Sequence, residues 1–194
     1  MKIDVQMINK QLREAADLMQ QLAETASDNI SQAAEILIDA LQNDSKILLC
    51  GNGGSAADCQ HIATELVVRY RRSRKGFAAI ALTTDTSILT AAGNDLGFES
   101  VFKRQVEALG RPGDVLIAIS TSGKSPNVLK ALEEARLRKM KTIAIIGENT
   151  ESAAGSSDVM ISVPSTDTPR IQEAHHIIGH ILCDIIEQAC SKEK

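Results

Sequence analysis

Lys46-Ile47-Leu48-Leu49-Cys50-Gly51-Asn52-Gly53-Gly54-Ser55-Ala56 is the stretch that decides the fold. A short, branched apolar run suited to a buried strand passes directly into a glycine-rich loop, and a helical pattern follows. A chain leaving a strand for a helix presents unpaired backbone N–H groups and the positive end of the helix dipole, and both attract anions. The arrangement recurs where Val115-Leu116-Ile117-Ala118-Ile119 runs into Ser120-Thr121-Ser122-Gly123-Lys124-Ser125. Glycine lets a ligand approach the backbone closely, and the serines and threonine supply hydroxyl donors. Ser125 followed by Pro126 also reads as a helix cap, but a cap needs one hydroxyl and this loop carries four. Two such loops point to a phosphorylated ligand.

Further strand-like runs at Ala78–Leu82, Thr142–Ile146 and Val159–Val163 alternate with helical stretches. This alternation predicts an α/β fold with a doubly wound parallel sheet of about five strands, covered on both faces. Two amphipathic helices precede the sheet, one through Ile8, Leu12, Ala15, Met19 and Leu22 and the other through Ile30, Ala33, Leu37 and Leu41. A long last helix, Pro169 to Cys190, has an apolar stripe along Ile171, Ala174, Ile178, Ile181, Leu182 and Ile185, and Ile177 and Ile186 widen it. The surplus width predicts a subunit interface. No linker, repeat or low-complexity segment divides residues 1–194, which are read as a single domain.

The 194 residues are 43% hydrophobic, enough to bury a full core. The formal net charge of −4 is spread over interspersed acids and bases, so no field strong enough to recruit nucleic acid is expected. The basic cluster Arg69-Tyr70-Arg71-Arg72-Ser73-Arg74-Lys75 reads as a solvated helix end. Aromatic residues are 2% of the chain, which argues against base stacking or an aromatic sugar platform. Cys50, Cys59, Cys183 and Cys190 lack CxxC spacing, and neither an apolar leader nor a membrane span is seen. A reduced, cytoplasmic protein with no membrane partner is expected.

Gly51, Gly53 and Ala56 also satisfy G-x-G-x-x-A, with Asp85 after the next strand where a ribose-binding acid would sit. A dinucleotide site does not need a second, serine-rich cradle at another strand end, so a phosphosugar is the better reading. In the helix after the first loop, His61 and Glu65 stand at i and i+4, about 40° apart on one face, and can share a proton or a metal ion. The last helix carries Gln172, Glu173, His175, His176 and His180. Histidines on an otherwise apolar helix are costly unless satisfied. Spacing alone pairs His176 with either Gln172 or His180, since it stands four residues from each.

The segments GNGGSAADCQHIATEL, GND at Gly93 to Asp95, ISTSGKSPNVLKAL and RIQEAHHIIGH resemble, in order and through nearly the whole chain, the bacterial phosphoheptose isomerases of the sugar-isomerase (SIS) domain superfamily. The resemblance implies an aldose–ketose isomerase that converts sedoheptulose 7-phosphate into D-glycero-D-manno-heptose 7-phosphate through an enediol. That reaction is the first step toward ADP-heptose for the lipopolysaccharide core. A homotetramer with active sites between subunits and one zinc ion per subunit is implied as well. By motif matching, the zinc ligands fall on His61, Glu65, Gln172 and His180. Substrate contacts fall on Asn52, Gly53, Gly54, Ser55, Glu65, Asn94, Asp95, Ser120, Thr121, Ser122, Ser125 and Gln172. Glu65 and His180 are then the proton-transfer pair.

Two features depart from that pattern. Pro169 stands directly before RIQE, where some family members have Asp, and Asp167 lies two residues upstream. Gln172 and His180 are eight residues apart, about 80° round the helix and about 12 Å along it, so meeting one ion requires them to lean toward each other. A reading of another class fits the resemblance too: a noncatalytic tetramer of the same fold that binds the replication initiator and stimulates initiation. That relative lacks acid–base groups at the positions of Glu65 and His180, and this chain retains both. A sugar-phosphate sensor domain would carry a fused DNA-binding module.

Overall fold

The computed structural model describes residues 4–148 and 155–191. Five strands form one parallel sheet: β1 (Ile47–Gly51), β2 (Ala79–Ala81), β3 (Val115–Ser120), β4 (Lys141–Ile146) and β5 (Val159–Ser162), in the spatial order β2-β1-β3-β4-β5. From β1 the chain winds to β2 on one flank, and from β3 it winds through β4 to β5 on the other. The junction between β1 and β3 is therefore the topological switch point, where a crevice opens beyond the carboxyl ends of the strands. Gly51 pairs in register with Ile119, so the glycine-rich and serine-rich loops leave the sheet there at nearly the same level.

The residues of the central strands β1 and β3 are buried on both faces, as the middle of an all-parallel sheet requires, while the edge strand β2 leaves Ile80 exposed. Ile47, Leu49, Ile117, Ile119, Ile143, Ile145 and Ile161 pack with α2 (Ser27–Gln42), α3 (Gly54–Val67), α7 (Thr168–Cys190) and the second half of α1 (Val5–Thr25). Leu48, Cys50, Leu116, Ala118, Ala144 and Ile146 face α4 (Thr86–Leu96), α5 (Val101–Leu109) and α6 (Pro126–Leu137). Each fully buried Leu or Ile contributes roughly 1.5–3 kcal/mol, so the core that holds the fold is mainly aliphatic, with Phe102 buried on the α5 side. All four cysteines are free thiols, and burial pushes those of Cys50 and Cys183 up to about 12. Among the described residues, no helix is long and apolar enough to cross a membrane.

Along α1, Leu18 and Leu22 are buried, whereas Val5, Ile8 and Leu12 stand on the surface, because only the second half of the helix lies over the core. Two expectations from the sequence need correction. Ile186 is 1% exposed and belongs to the core, so the surplus on α7 reduces to Ile177 and Ile181. The basic cluster is not a solvated helix end. Helix α3 stops at Val67, and the cluster forms a loop whose Arg74 side chain is only 4% exposed.

His175 lies within the core at 0% exposure, and among the described residues neither ring nitrogen has a hydrogen-bond partner. Burial disfavours its charged form and lowers its pKa from 6.5 to about 4, with the Ile146 backbone and the Asp58 charge opposing only in part. Between these values the unfolded chain binds the proton and the folded chain does not. Its contribution is therefore complete above the unfolded pKa and is lost as the pH falls through the window, an effect of roughly 3 kcal/mol. Urea unfolding followed from pH 7 to pH 4 should show this loss, and His175→Phe should flatten the acid limb. An unchanged slope in a folded variant would contradict the assignment.

Candidate active site

The two loops are tied to each other by a reciprocal amide pair. Asn52 Nδ2 donates to Asn127 Oδ1 at 2.9 Å, and Asn127 Nδ2 donates to Asn52 Oδ1 at 2.8 Å. Asn127 is buried at the second residue of α6, so it fixes the first loop against the helix that follows the second. One amide hydrogen and one carbonyl lone pair of Asn52 remain for other partners. Ser120 Oγ and Ser125 Oγ face each other at 3.2 Å across the second loop. The exposed Ser122 accepts from the Lys124 N–H at 3.2 Å, and Thr121 is half-buried. Ser55 is buried beneath the first loop, with Gly53 and Gly54 exposed above it.

Helix α7 lies alongside α3, running in the same direction. A Cβ on Gly54 would fall inside the Gln172 amide, and one on Gly179 would sit 2.7 Å from Ile62 Cδ1, so glycine at both positions permits the close approach. Contacts climb the seam in parallel: Gln172 at Gly54, His176 Nδ1 at 3.1 Å from Asp58 Oδ1, then His180 Nε2 at 2.8 Å from His61 Nε2. Glu65, one turn further along α3, places Oε1 3.8 Å from His61 Nε2. The Tyr70 ring centroid is 5.4 Å from that of His180.

The metal-capable nitrogens of His61, His176 and His180 all lie within 4.8 Å of one another. Burial, then the neighbouring His176 and His61, lower the pKa of His180, with Glu65 opposing and Arg71 adding to the effect. His180 is thus held neutral near pH 7, and one nitrogen of the 2.8 Å pair carries the hydrogen that the other accepts. A gathering of imidazoles beside a carboxylate is the donor chemistry zinc favours. Gln172 stays at the first turn of α3, seven residues and about 10 Å along the helix from His61. Within one chain the nitrogen trio therefore includes His176, and the Gln172 amide lies apart from it.

A profile of the SIS domain matches residues 11–147. The phosphoheptose isomerase of a Nitratiruptor species is 54% identical over 182 residues, covering 94% of this chain and 97% of the relative. One from Helicobacter pylori is 51% identical over 182 residues, covering 94% and 95%. The chain belongs to the SIS-domain phosphoheptose isomerase family. In three dimensions it is similar to phosphoheptose isomerase GmhA from Neisseria gonorrhoeae, with a TM-score of 0.89, 46% identity, and 94% and 98% of the two chains covered. The phosphoheptose isomerase from Francisella tularensis gives 0.92 at 38% identity, covering 96% and 100%.

Several residues of this SIS domain lie outside the gathering. Asn94 and Asp95 are exposed at the end of α4, where Asn94 Nδ2 donates to Asp95 Oδ1 at 2.7 Å. Among the described residues, neither hydrogen-bonds to a loop residue or to a histidine of the cluster. Asp167 is the N-cap residue of α7, exposed and without a side-chain cap bond, and Pro169 occupies the first turn. Sequence reasoning missed Asn127, Asp58 and Tyr70, each paired across more than a hundred residues or between two loops. Only the i, i+4 spacing of His176 signalled its membership.

Asn127→Leu keeps the volume and removes both bonds of the amide pair. It should lower stability by about 1–3 kcal/mol, because the partly buried Asn52 amide is left unpaired. Denaturant midpoints of the two proteins measure this, and equal midpoints would show that the loops are held apart from the pair.

Proposed function

We propose that this chain interconverts sedoheptulose 7-phosphate and D-glycero-D-manno-heptose 7-phosphate, in the cytoplasm, as the first step toward ADP-heptose for the lipopolysaccharide core. The observation that carries the reading is the juxtaposition at the α3–α7 seam of Glu65, His61 and His180, adjoining two anion loops at the switch point. The serine loop, with Ser120, Thr121, Ser122 and Ser125, holds the phosphate at the far end of the sugar. Asn52, Gly53, Gly54, Ser55 and Gln172 line its approach to the histidines. Anchoring a remote phosphate lets binding energy orient the reacting carbons.

Moving the carbonyl from C2 to C1 requires removal of a proton from C1, a cis-enediol, and delivery of a proton to C2. Glu65 is the base that moves the carbon-bound proton. His180, neutral at pH 7, exchanges protons with the oxygens of C1 and C2. His61 bridges the two groups and holds the His180 ring in place. Zinc held by His61, Glu65 and His180, with Gln172 as a fourth ligand only if its amide leaves Gly54 and reaches toward them, would supply Lewis-acid polarisation of the substrate carbonyl.

We place the active form in a homotetramer, supported by the exposed apolar faces of α1 (Val5, Ile8, Leu12) and α7 (Ile177, Ile181). The exposed Asn94 and Asp95 contribute to substrate contacts at such a boundary between copies. Light scattering should report a tetramer, and a monomer with full turnover would contradict this part.

Incubation with sedoheptulose 7-phosphate should yield the aldose, and a chelator should suppress it. Glu65→Gln and His180→Gln should each lower kcat by about 10²–10⁴-fold, the usual contribution of a positioned acid or base. Zinc content measured on each variant separates lost metal from lost proton transfer. If His176→Gln loses the metal while His180→Gln keeps both metal and turnover, the assignment of His180 is wrong. A wild-type protein with no turnover would favour the noncatalytic, initiator-binding reading. For the loop, combined Ser120→Ala and Ser122→Ala should raise KM strongly, since bonds to a charged group contribute about 1.5–3 kcal/mol each. Unchanged affinity in the folded double variant would remove the serines from the phosphate site.

A further inference from the structure

The loop after α3 is held by a carboxylate from the far end of α7. Glu187 is 1% exposed, two turns beyond His180. Its Oε1 accepts from the Tyr70 N–H at 3.0 Å and Arg74 Nε at 3.0 Å, and its Oε2 from the Arg71 and Arg72 N–H groups at 2.7 and 2.8 Å. Three successive amides around one anion form a nest of the kind that elsewhere binds phosphate, filled here by the chain's own carboxylate.

Arg74 extends the attachment to α3. Its Nη2 donates to the Glu65 carbonyl at 2.8 Å, and its Nη1 to the Leu66 carbonyl at 2.8 Å, both in the last turn of α3. The guanidinium carbon lies 3.9 Å from the centroid of the Phe77 ring, which closes the remaining face. Burial would raise the Glu187 pKa, but the three amides and Arg74 outweigh it and hold the carboxyl below its ordinary value. A buried ion pair is seldom more stabilising than apolar residues of the same volume. What this pair adds is geometric: one side chain of the helix that carries His180 fixes the backbone of Glu65 and the segment that sets Tyr70 against His180.

We propose that Glu187, acting through Arg74 and the Tyr70–Arg72 amides, is a positioning residue that sets Glu65 and Tyr70 against His180. The kinetic half of this proposal rests on the isomerase reading given above; the structural half does not. Tyr70 is the only tyrosine and the chain has no tryptophan, so its near-ultraviolet dichroism and fluorescence anisotropy report this segment directly.

Glu187→Gln keeps the shape but turns an amide NH₂ or a neutral oxygen toward four donors. The folded variant, with unchanged far-ultraviolet dichroism, should lose Tyr70 dichroism and anisotropy. Its kcat should fall roughly 10- to 100-fold, as expected for a small misplacement of the reacting groups. KM should change less than about twofold, because the phosphate loops are untouched. Glu187→Asp, which restores the charge, should recover part of both signals. Where Glu187→Gln does not fold, Arg74→Lys is read in the same way, since it keeps the cation and loses the fork on the Glu65 and Leu66 carbonyls. A folded variant of either kind that melts earlier but keeps the Tyr70 signal and kcat overturns the proposal and leaves a stabilising pair only. If the wild-type protein has no isomerase activity, an intact Tyr70 signal in Glu187→Gln still overturns the structural half, and a lost signal supports it.

Discussion

Everything in the site depends on how closely α7 packs against α3. Gly54 and Gly179 let the two backbones approach, and the apolar residues behind them, Ile62, Ala63 and Leu66 on one helix and Ala174, Ile178 and Leu182 on the other, are buried. Those aliphatic contacts supply the stability, at roughly 1.5–3 kcal/mol for each large side chain. The polar contacts above them, from Gln172 through His176 and Asp58 to His61, His180 and Glu65, line a partly exposed edge where charge pairing contributes little to folding. Their positions are consequences of the apolar packing. The same seam continues to Glu187, whose carboxylate closes the far end.

The sheet supplies the second constraint. Because β1 and β3 are neighbours whose connections diverge, two loops that are 69 positions apart by number, Gly51 and Ser120, open side by side. Their spacing is then set by the Asn52–Asn127 pair, not left to loop flexibility. Two loops held at a fixed spacing on one side and a fixed carboxylate–imidazole group on the other are the arrangement on which the proposed anchoring of a phosphate rests.

Architecture was legible in the sequence because it is written in local periods. All five strands lie within a residue or two of their expected places, and the long last helix starts at Thr168 instead of Pro169. The loops were legible because strand, glycine and hydroxyl are adjacent in sequence. What was not legible depends on pairing across long separations. Arg74 reads as one more surface cation until Glu187, 113 residues away, is brought to it. Ile186 looks like surplus until α7 is seen to be covered on more than one side. His176 was visible by its spacing from Gln172 and His180, but only the parallel course of α3 shows that it meets His61 and Asp58.

The seam brings together groups suited to moving a proton between adjacent carbons, so the most direct measurement is the reaction of sedoheptulose 7-phosphate run in D₂O and followed by NMR. Proton abstraction by Glu65 and return through an enediol predict an aldose product whose C2 hydrogen is the one carried by Glu65, drawn from the substrate's C1 and, in proportion to exchange on the carboxyl, from solvent deuterium, and they predict that Glu65→Gln loses the signal. Absence of product, or the same product formed at the same rate by Glu65→Gln, would contradict the account.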